Sequence, residues 1–448
     1  MAQKKRARCK ERALREQAHY DRAAQELASS VAFVGDYFQG EFFKSQVTTI
    51  RVLLAAILLR VSVCSTAIGS FLADKMGIQG ASGRNRLTRF LRNPRVETSA
   101  FLRAGIRFHA ALARPLPVVI DWTDWPVSWR YLVVSVPVGT RGVPIFARGV
   151  QLPVVEGTQN RIENEVVAEV LAAAAQCGVD VLFLADRGFR RRSLLKKLEG
   201  KRSAFVVRLC GKQTINRKDS SGLLKDSIKR GQVRDFGWAG LGSNKRDPLR
   251  VRIVAIWSEE QSEPWLLATN LHAPVSEVVS LYDRRFAGIE HPFRDTKGNR
   301  YGLMMEWHRI PNGHKLEVAI CLVGLAVLAW TAVGARTKEL DPTRAFASTK
   351  KGDGCSLMRI GQDRCRNGAI PRLDRKFLKT HLPPISFRFF PVTVSGSAGK
   401  PKPWHRSVLK GMRHTTRGLP AGSSVDTKKA GRRRTSPKRR AELAAMLS

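Results

Sequence analysis

The chain has 448 residues, with 78 Lys and Arg against 37 Asp and Glu and a formal net charge of +41. That length buries a sizeable core and accommodates about three domains, while the charge exceeds what solubility requires and implies a polyanionic partner. Nucleic acid fits better than a membrane surface, because the basic clusters run through the chain instead of flanking one apolar segment. The cysteines, seven and scattered without C-x-x-C spacing, argue against a disulfide framework or a zinc site and for a reducing compartment. The first thirty residues carry charge throughout, unlike the apolar centre of a secretory signal.

Residues 1–46 read as a basic, helix-favouring lead in which Ser29 and Ser30 can stop one helix and cap the next. From Val47 to Met76 apolar residues recur at helical spacing, then GIQGASG turns the chain into RNRLTRFLRNPRV. Helix, turn, basic helix is the outline of a DNA-binding domain over 47–114. Arg84, Arg86, Arg89 and Arg92 fall near one face, where they can engage a phosphate backbone. The same outline also occurs in helical domains that bind nothing.

After Pro115 the pattern changes to short apolar runs. LPVVID is a buried-type strand ending on Asp121, followed by YLVVSVPV and VPIFARGVQL. Ile162 to Cys177 predicts a helix, GVDVLFLADRGF a strand ending on Asp186, Arg190 to Glu199 a helix and RSAFVVRL a further strand. Between Leu209 and Trp265 the text is polar and Gly-rich with strand-like pieces, and EPWLLATNL follows.

Tyr282 to Lys297 predicts a surface helix with Glu290 set among Arg285, Arg294 and Lys297. Glu290 and Lys297 are seven apart, two helical turns, and share a face. A carboxylate so surrounded suits a group kept ionised beside a metal while the bases hold phosphates; the plainer reading is a solvated helix with surface ion pairs. Val318 to Ala335, eighteen uncharged residues, sits at the lower limit for a membrane span, and its place directly after this helix reads as a buried core helix. Residues 337–448 are rich in Lys, Arg, Gly, Pro and Ser and predict a basic, largely disordered tail. HLPPISFRFFPVTV is its one strand-like stretch.

LPVVIDWTDW, FLADRGF, EPWLLATNL, IEHPFRDTK and RYGL occur in that order, with Tyr282, Arg285, Glu290 and Lys297 at the positions of a Tyr, Arg, Glu, Lys signature. Together they resemble the DDE transposases of bacterial insertion sequences, of the IS-four type, over about 47–336. The resemblance implies an α/β, ribonuclease H-like (retroviral integrase-like) catalytic domain at 115–336 with a β-rich insertion at 210–262. It implies Mg²⁺, replaceable by Mn²⁺, held by Asp121, Asp186 and Glu290; phosphate contacts from Tyr282, Arg285 and Lys297; and a Trp265 that stacks a flipped base. The activity implied is cut-and-paste transposition by two-metal phosphodiester hydrolysis and strand transfer. Its partners would be the terminal inverted repeats, target DNA and a second copy of the chain, in the cytoplasm, on the nucleoid when DNA is bound, and with no membrane.

Asp124 competes with Asp121 for the first acid, and Trp265 reads equally as a core side chain of an apolar strand. The signature has three residues between Arg and Glu; here Phe286 to Ile289 make four, and Pro292 follows. A DNA-binding protein or repressor derived from a transposase, without catalysis, is the alternative function. A metal-dependent nuclease that cuts without joining is a third.

Overall fold

The computed structural model describes residues 2–383 except 114, 127, 201–202, 213, 217–220, 224–226, 242–248, 260, 287, 289–292, 294–296, 298–302, 304, 306–312, 343–354 and 369. Six helices come first: α1 (Ala2–Ser30), α2 (Phe33–Tyr37), α3 (Lys44–Arg60), α4 (Ser65–Met76), α5 (Gly80–Arg92) and α6 (Thr98–Ala110). The α3 run from Val52 to Leu58 is buried on every side, which is why its sequence shows little amphipathic contrast. Gly77 ends α4 in the left-handed conformation at φ +66°. The helices α4 and α5 then meet backbone to backbone: a Cβ on Gly83 would lie 2.4 Å from the Gly69 carbonyl oxygen. Leu87, Phe90 and Leu91 turn inward from α5, leaving Arg84, Arg89 and Arg92 exposed.

The mixed sheet that follows contains β1 (Leu116–Trp125), β2 (Trp129–Val138), β3 (Arg141–Gln151), β4 (Val181–Ala185), β5 (Ala204–Arg208), β6 (Thr214–Asn216), β7 (Ser221–Leu223), β8 (Gln232–Leu241), β9 (Leu249–Trp257) and β10 (Trp265–Thr269). Helix α7 (Thr158–Gln176) joins β3 to β4, and α8 (Arg192–Gly200) joins β4 to β5. The strand order is β3-β2-β1-β4-β5-β10-β9-β8-β6-β7. β1, β2 and β3 pair antiparallel, while β1, β4 and β5 pair parallel, an arrangement compatible with a ribonuclease H-like fold. All five β4 residues are buried, as expected for a central strand covered on both faces. The inserted strands continue this sheet through β10, so the β-rich segment shares the sheet of β1, β4 and β5.

Helix α9 (Val275–Arg285) returns over β4 and β5, and α10 (His314–Leu340) carries the long apolar run. α10 is buried from Leu316 to Gly334 and touches β3 so closely that a Cβ on Gly324 would meet the Pro144 carbonyl oxygen at 1.8 Å. Its Trp330 indole donates to the Leu58 carbonyl at 3.3 Å, joining the helical and sheet regions in one core. The apolar run is therefore an interior helix of this protein.

The tail expected from residue 337 needs correction. α10 continues to Leu340, and α11 (Leu357–Arg366) and α12 (Arg375–His381) follow. Gly334 and Gly361 let α11 cross α10 at backbone contact, and Leu373 exchanges main-chain hydrogen bonds with Ser30 and Phe33 at 2.8 and 2.9 Å. Met358, Ile360, Cys365, Leu373 and Leu378 supply the buried apolar surface that average composition concealed. Residues 384–448, including most of HLPPISFRFFPVTV, lie outside the described residues.

His109, on α6, is fully buried; its Nδ1 bonds to the Gly105 carbonyl at 2.8 Å and its ring meets Tyr37 edge-on. Burial lowers its pKa to about 4, with the Gly105 bond opposing the shift. The unfolded chain, with an ordinary imidazole near pH 6.5, takes up the proton first as pH falls. Stability from this group is thus complete above about pH 6.5 and is lost toward pH 4, by about 3 kcal/mol in total. Urea denaturation across that window should show this loss in the wild type and a correspondingly flatter profile in His109→Leu.

Candidate active site

Parallel pairing aligns Ile120 of β1 with Ala185 of β4. Asp121 and Asp186 come next on these adjacent strands; β4 ends before Asp186 as the sequence predicts, whereas Asp121 does not end its strand as expected, because antiparallel pairing with β2 carries β1 on to Trp125. Asp121 Oδ1 accepts from the Trp122 main-chain N–H at 2.8 Å, and Asp186 Oδ1 accepts from the Arg187 main-chain N–H, capping a 3₁₀ turn over Arg187–Phe189. β1 continues past Asp121 to Trp125, so Asp124 lies within the strand. Three residues from Asp121, it falls on the opposite face, where it pairs with Arg130 at 2.6 Å and is 71% exposed.

The third partner is Arg285, the last residue of α9. Its side chain is 5% exposed, with Nη1 2.8 Å from Asp121 Oδ2 and Nη2 3.7 Å from Asp186 Oδ2. One guanidinium therefore spans both acids. Below it lies an aromatic floor: the guanidinium carbon stands 5.0 Å from the Phe286 ring centroid and 5.7 Å from that of Tyr282. Trp265 closes the floor, stacked on Phe286 at 5.4 Å and edge-on to Tyr282 at 5.0 Å. Burial raises the Tyr282 phenol pKa, Arg285 opposes that shift, and the charge of Asp186 adds to it.

These positions correct two expectations. Trp265 is only 7% exposed and is packed in strand β10, so it is the core side chain of the two readings, without an open face for a flipped base. Tyr282 is fully buried and Arg285 is buried facing the acids, so this part of 282–297 is not the surface helix the sequence predicts. Lys297 is half-buried over the end of β1: its ammonium bonds to the Asp124 carbonyl and stands 5.1 Å from the Trp125 ring centroid. Glu290 lies outside the described residues. Among the described residues no three His, Cys, Asp or Glu cluster closely enough to hold a metal; two carboxylates converge, at Asp121 and Asp186.

The extra residue of the signature has a structural counterpart. Immediately after α9, Phe286 and Gly288 are π-helical, the local form that takes up one additional residue in a helix. Gly288 is wedged against β1 and β3: a Cβ there would lie 2.5 Å from Val119 Cγ2, and its own carbonyl oxygen would be 1.8 Å from a Cβ on Gly142. Val119 and Asp121 share a face of β1, so the π turn docks beside the first acid. A glycine inside a helical pattern was the available signal for such close approach.

In the N-terminal helices Arg84, Arg89 and Arg92 are exposed on α5, while Arg86 turns toward α1, bonded to the Tyr20 hydroxyl and 5.7 Å from its ring centroid. The four arginines thus divide between an outer face and a helix contact.

Acids on adjacent parallel strands, just past their paired stretch and with a buried base between them, define the class of this region: an α/β domain with a carboxylate centre. Residues 114–328 match the family model described as the transposase DDE domain, and this stretch of the chain is a DDE transposase domain. No curated protein matches the chain.

Arg285→Met keeps most of the side-chain volume but leaves Asp121 and Asp186 facing each other without the shared cation. It should cost about 2 kcal/mol of stability in metal-free buffer, read from denaturant midpoints. In a double-mutant cycle Asp121→Asn should recover part of that loss.

Proposed function

We propose that the chain is an insertion-sequence transposase of the IS-four type, with a ribonuclease H-like catalytic domain that cuts DNA at the element ends and joins them to a target. The observation that carries this reading is the convergence of Asp121, Asp186 and the signature residue Arg285 at one point of the sheet. That point also fits a divalent ion: two hard carboxylates already converge on one positive group, the donor type that Mg²⁺ or Mn²⁺ takes. Asp121, Asp186 and Glu290 would hold the metal. When bound, paired ions supply activation of the attacking water or 3′-hydroxyl and stabilisation of the leaving oxygen.

The remaining work belongs to the chain's own groups. Arg285, touching both acids, and Lys297, over the far end of β1, would orient a strand through its phosphate oxygens. The buried position of Arg285 suits a phosphate bound at the acids. One residue inserted in a regular helix would rotate Tyr282 and Arg285 by about 100° relative to Glu290. The π turn at Phe286 and Gly288 absorbs that residue and supports a Glu290 facing the same centre. This favours an active enzyme over a derivative that only binds DNA. The exposed arginines of α5 would grip the terminal inverted repeats, with two copies of the chain bringing paired ends together in the cytoplasm.

The test is strand cleavage of a labelled duplex carrying the DNA that flanks the gene. Nicking at the repeat boundary should require Mg²⁺ or Mn²⁺ and stop with chelator. Asp121→Asn, Asp186→Asn and Glu290→Gln should each slow it at least about a hundredfold, about 2.7 kcal/mol of barrier, while still binding the duplex. Specific binding by the wild type with no cleavage under either metal would favour the DNA-binding derivative, and cleavage without joining to a target would favour a nuclease. Separately, Arg89→Ala should weaken binding to all duplexes alike and lower the slope of log K against log salt by about one.

A further inference from the structure

Glu163, in the second turn of α7, is 1% exposed, an unusual burial for a carboxylate unless donors surround it. Three side chains do. Oε1 accepts from the Trp122 indole at 2.8 Å and from Gln159 at 3.0 Å, and Oε2 accepts from Arg191 Nη2 at 2.6 Å. Trp122 directly follows Asp121, and its main-chain N–H holds Asp121 Oδ1. Arg191 lies just past the 3₁₀ turn that Asp186 caps, and its carbonyl receives the first amides of α8 from Leu194 and Leu195. One buried carboxylate therefore ties β1, at the residue after Asp121, to the segment that follows β4.

We infer that Glu163 is a positioning residue that sets the separation and orientation of the Asp121 and Asp186 carboxylates for a divalent ion. The inference rests on the metal reading proposed above. Parallel pairing joins the two strands as far as Ile120 and Ala185, and past that register β1 is held by β2 alone, with Asp121 opposite Val133. Glu163 supplies a bridge between the two acid-bearing segments there, through Trp122 and Arg191. The residue type is determined by its partners. Trp and Arg side chains only donate, so a bridge between them needs two acceptor oxygens on one group. Glutamine offers one oxygen and would turn its amide donors toward either Trp122 or Arg191.

The test titrates full-length protein with Mn²⁺ alone, reading bound ion from the loss of the free Mn²⁺ electron paramagnetic resonance signal, with a thermal melt of each variant. Glu163→Gln should weaken Mn²⁺ binding by about tenfold. Trp122→Phe keeps a ring and removes the tethering N–H, and should weaken it several-fold. Gly361→Ala, which forces a Cβ against the Trp330 carbonyl far from the acids in sequence and fold, should lower the melting temperature and leave Mn²⁺ affinity unchanged. If Glu163→Gln does not fold, Trp122→Phe decides. Wild-type affinity in the folded variants overturns the positioning role and leaves the metal reading standing. A wild type that binds no Mn²⁺ overturns both.

Discussion

Two carboxylates on adjacent strands create the constraint around which the centre of this protein is built. Neighbouring strands stand about 4.8 Å apart, and like charges near that distance repel by about 3 kcal/mol at an effective dielectric of 20. Arg285 resolves the conflict with one guanidinium that meets both acids. The arginine in turn could not be buried over Trp265, Tyr282 and Phe286 without those acids. This mutual need fixes the end of α9 over the junction of β1 and β4, and through Trp265 it reaches β10.

The segment after α9 has a second, steric constraint. It approaches β1 and β3 so closely that side chains at Gly142 and Gly288 are excluded. A regular helix with an added residue would present a different side to the sheet; a π turn takes up that residue and lets a glycine fill the tight place. The departure from the signature and the glycine inside it are thus one adaptation. Either alone would look like damage.

Much of the sheet was legible because its central strands are apolar on both faces: VLFLAD marks the extent of β4 and the acid at its end, while LPVVID marks only the first part of β1, which runs on through polar residues to Trp125 because β2 pairs with it there. Position was less legible than identity. The burial of Tyr282 and Arg285 follows from the α9 packing, which spacing does not encode. Trp265 joins an aromatic cluster whose members lie far apart in sequence. The inserted strands could be read as strands, but their union with the main sheet depends on β10 pairing to both β5 and β9. Residues 355–383 escaped notice because a short basic segment folds only against a partner, here the glycine-lined side of α10. Glu163 was silent for the same reason, with partners 28 and 41 residues away.

The charge of the chain divides along the same lines. The buried acids are committed to internal donors: Glu41 to Arg103 and Arg107, Glu163 to Arg191 and Trp122, Glu317 to the Gly149 amide. The pairs with arginine neutralise positive and negative groups together and leave the excess of +41 to be carried elsewhere in the chain. Exposed arginines, like those of α5, attract a phosphate backbone over a Debye length of about 8 Å at physiological salt, and that attraction weakens as salt rises. The acids around Arg285 work at contact distance in a half-buried site where screening is weaker. Long-range attraction and contact interaction therefore rest on different groups, in different dielectric surroundings, and change of one need not carry the other with it.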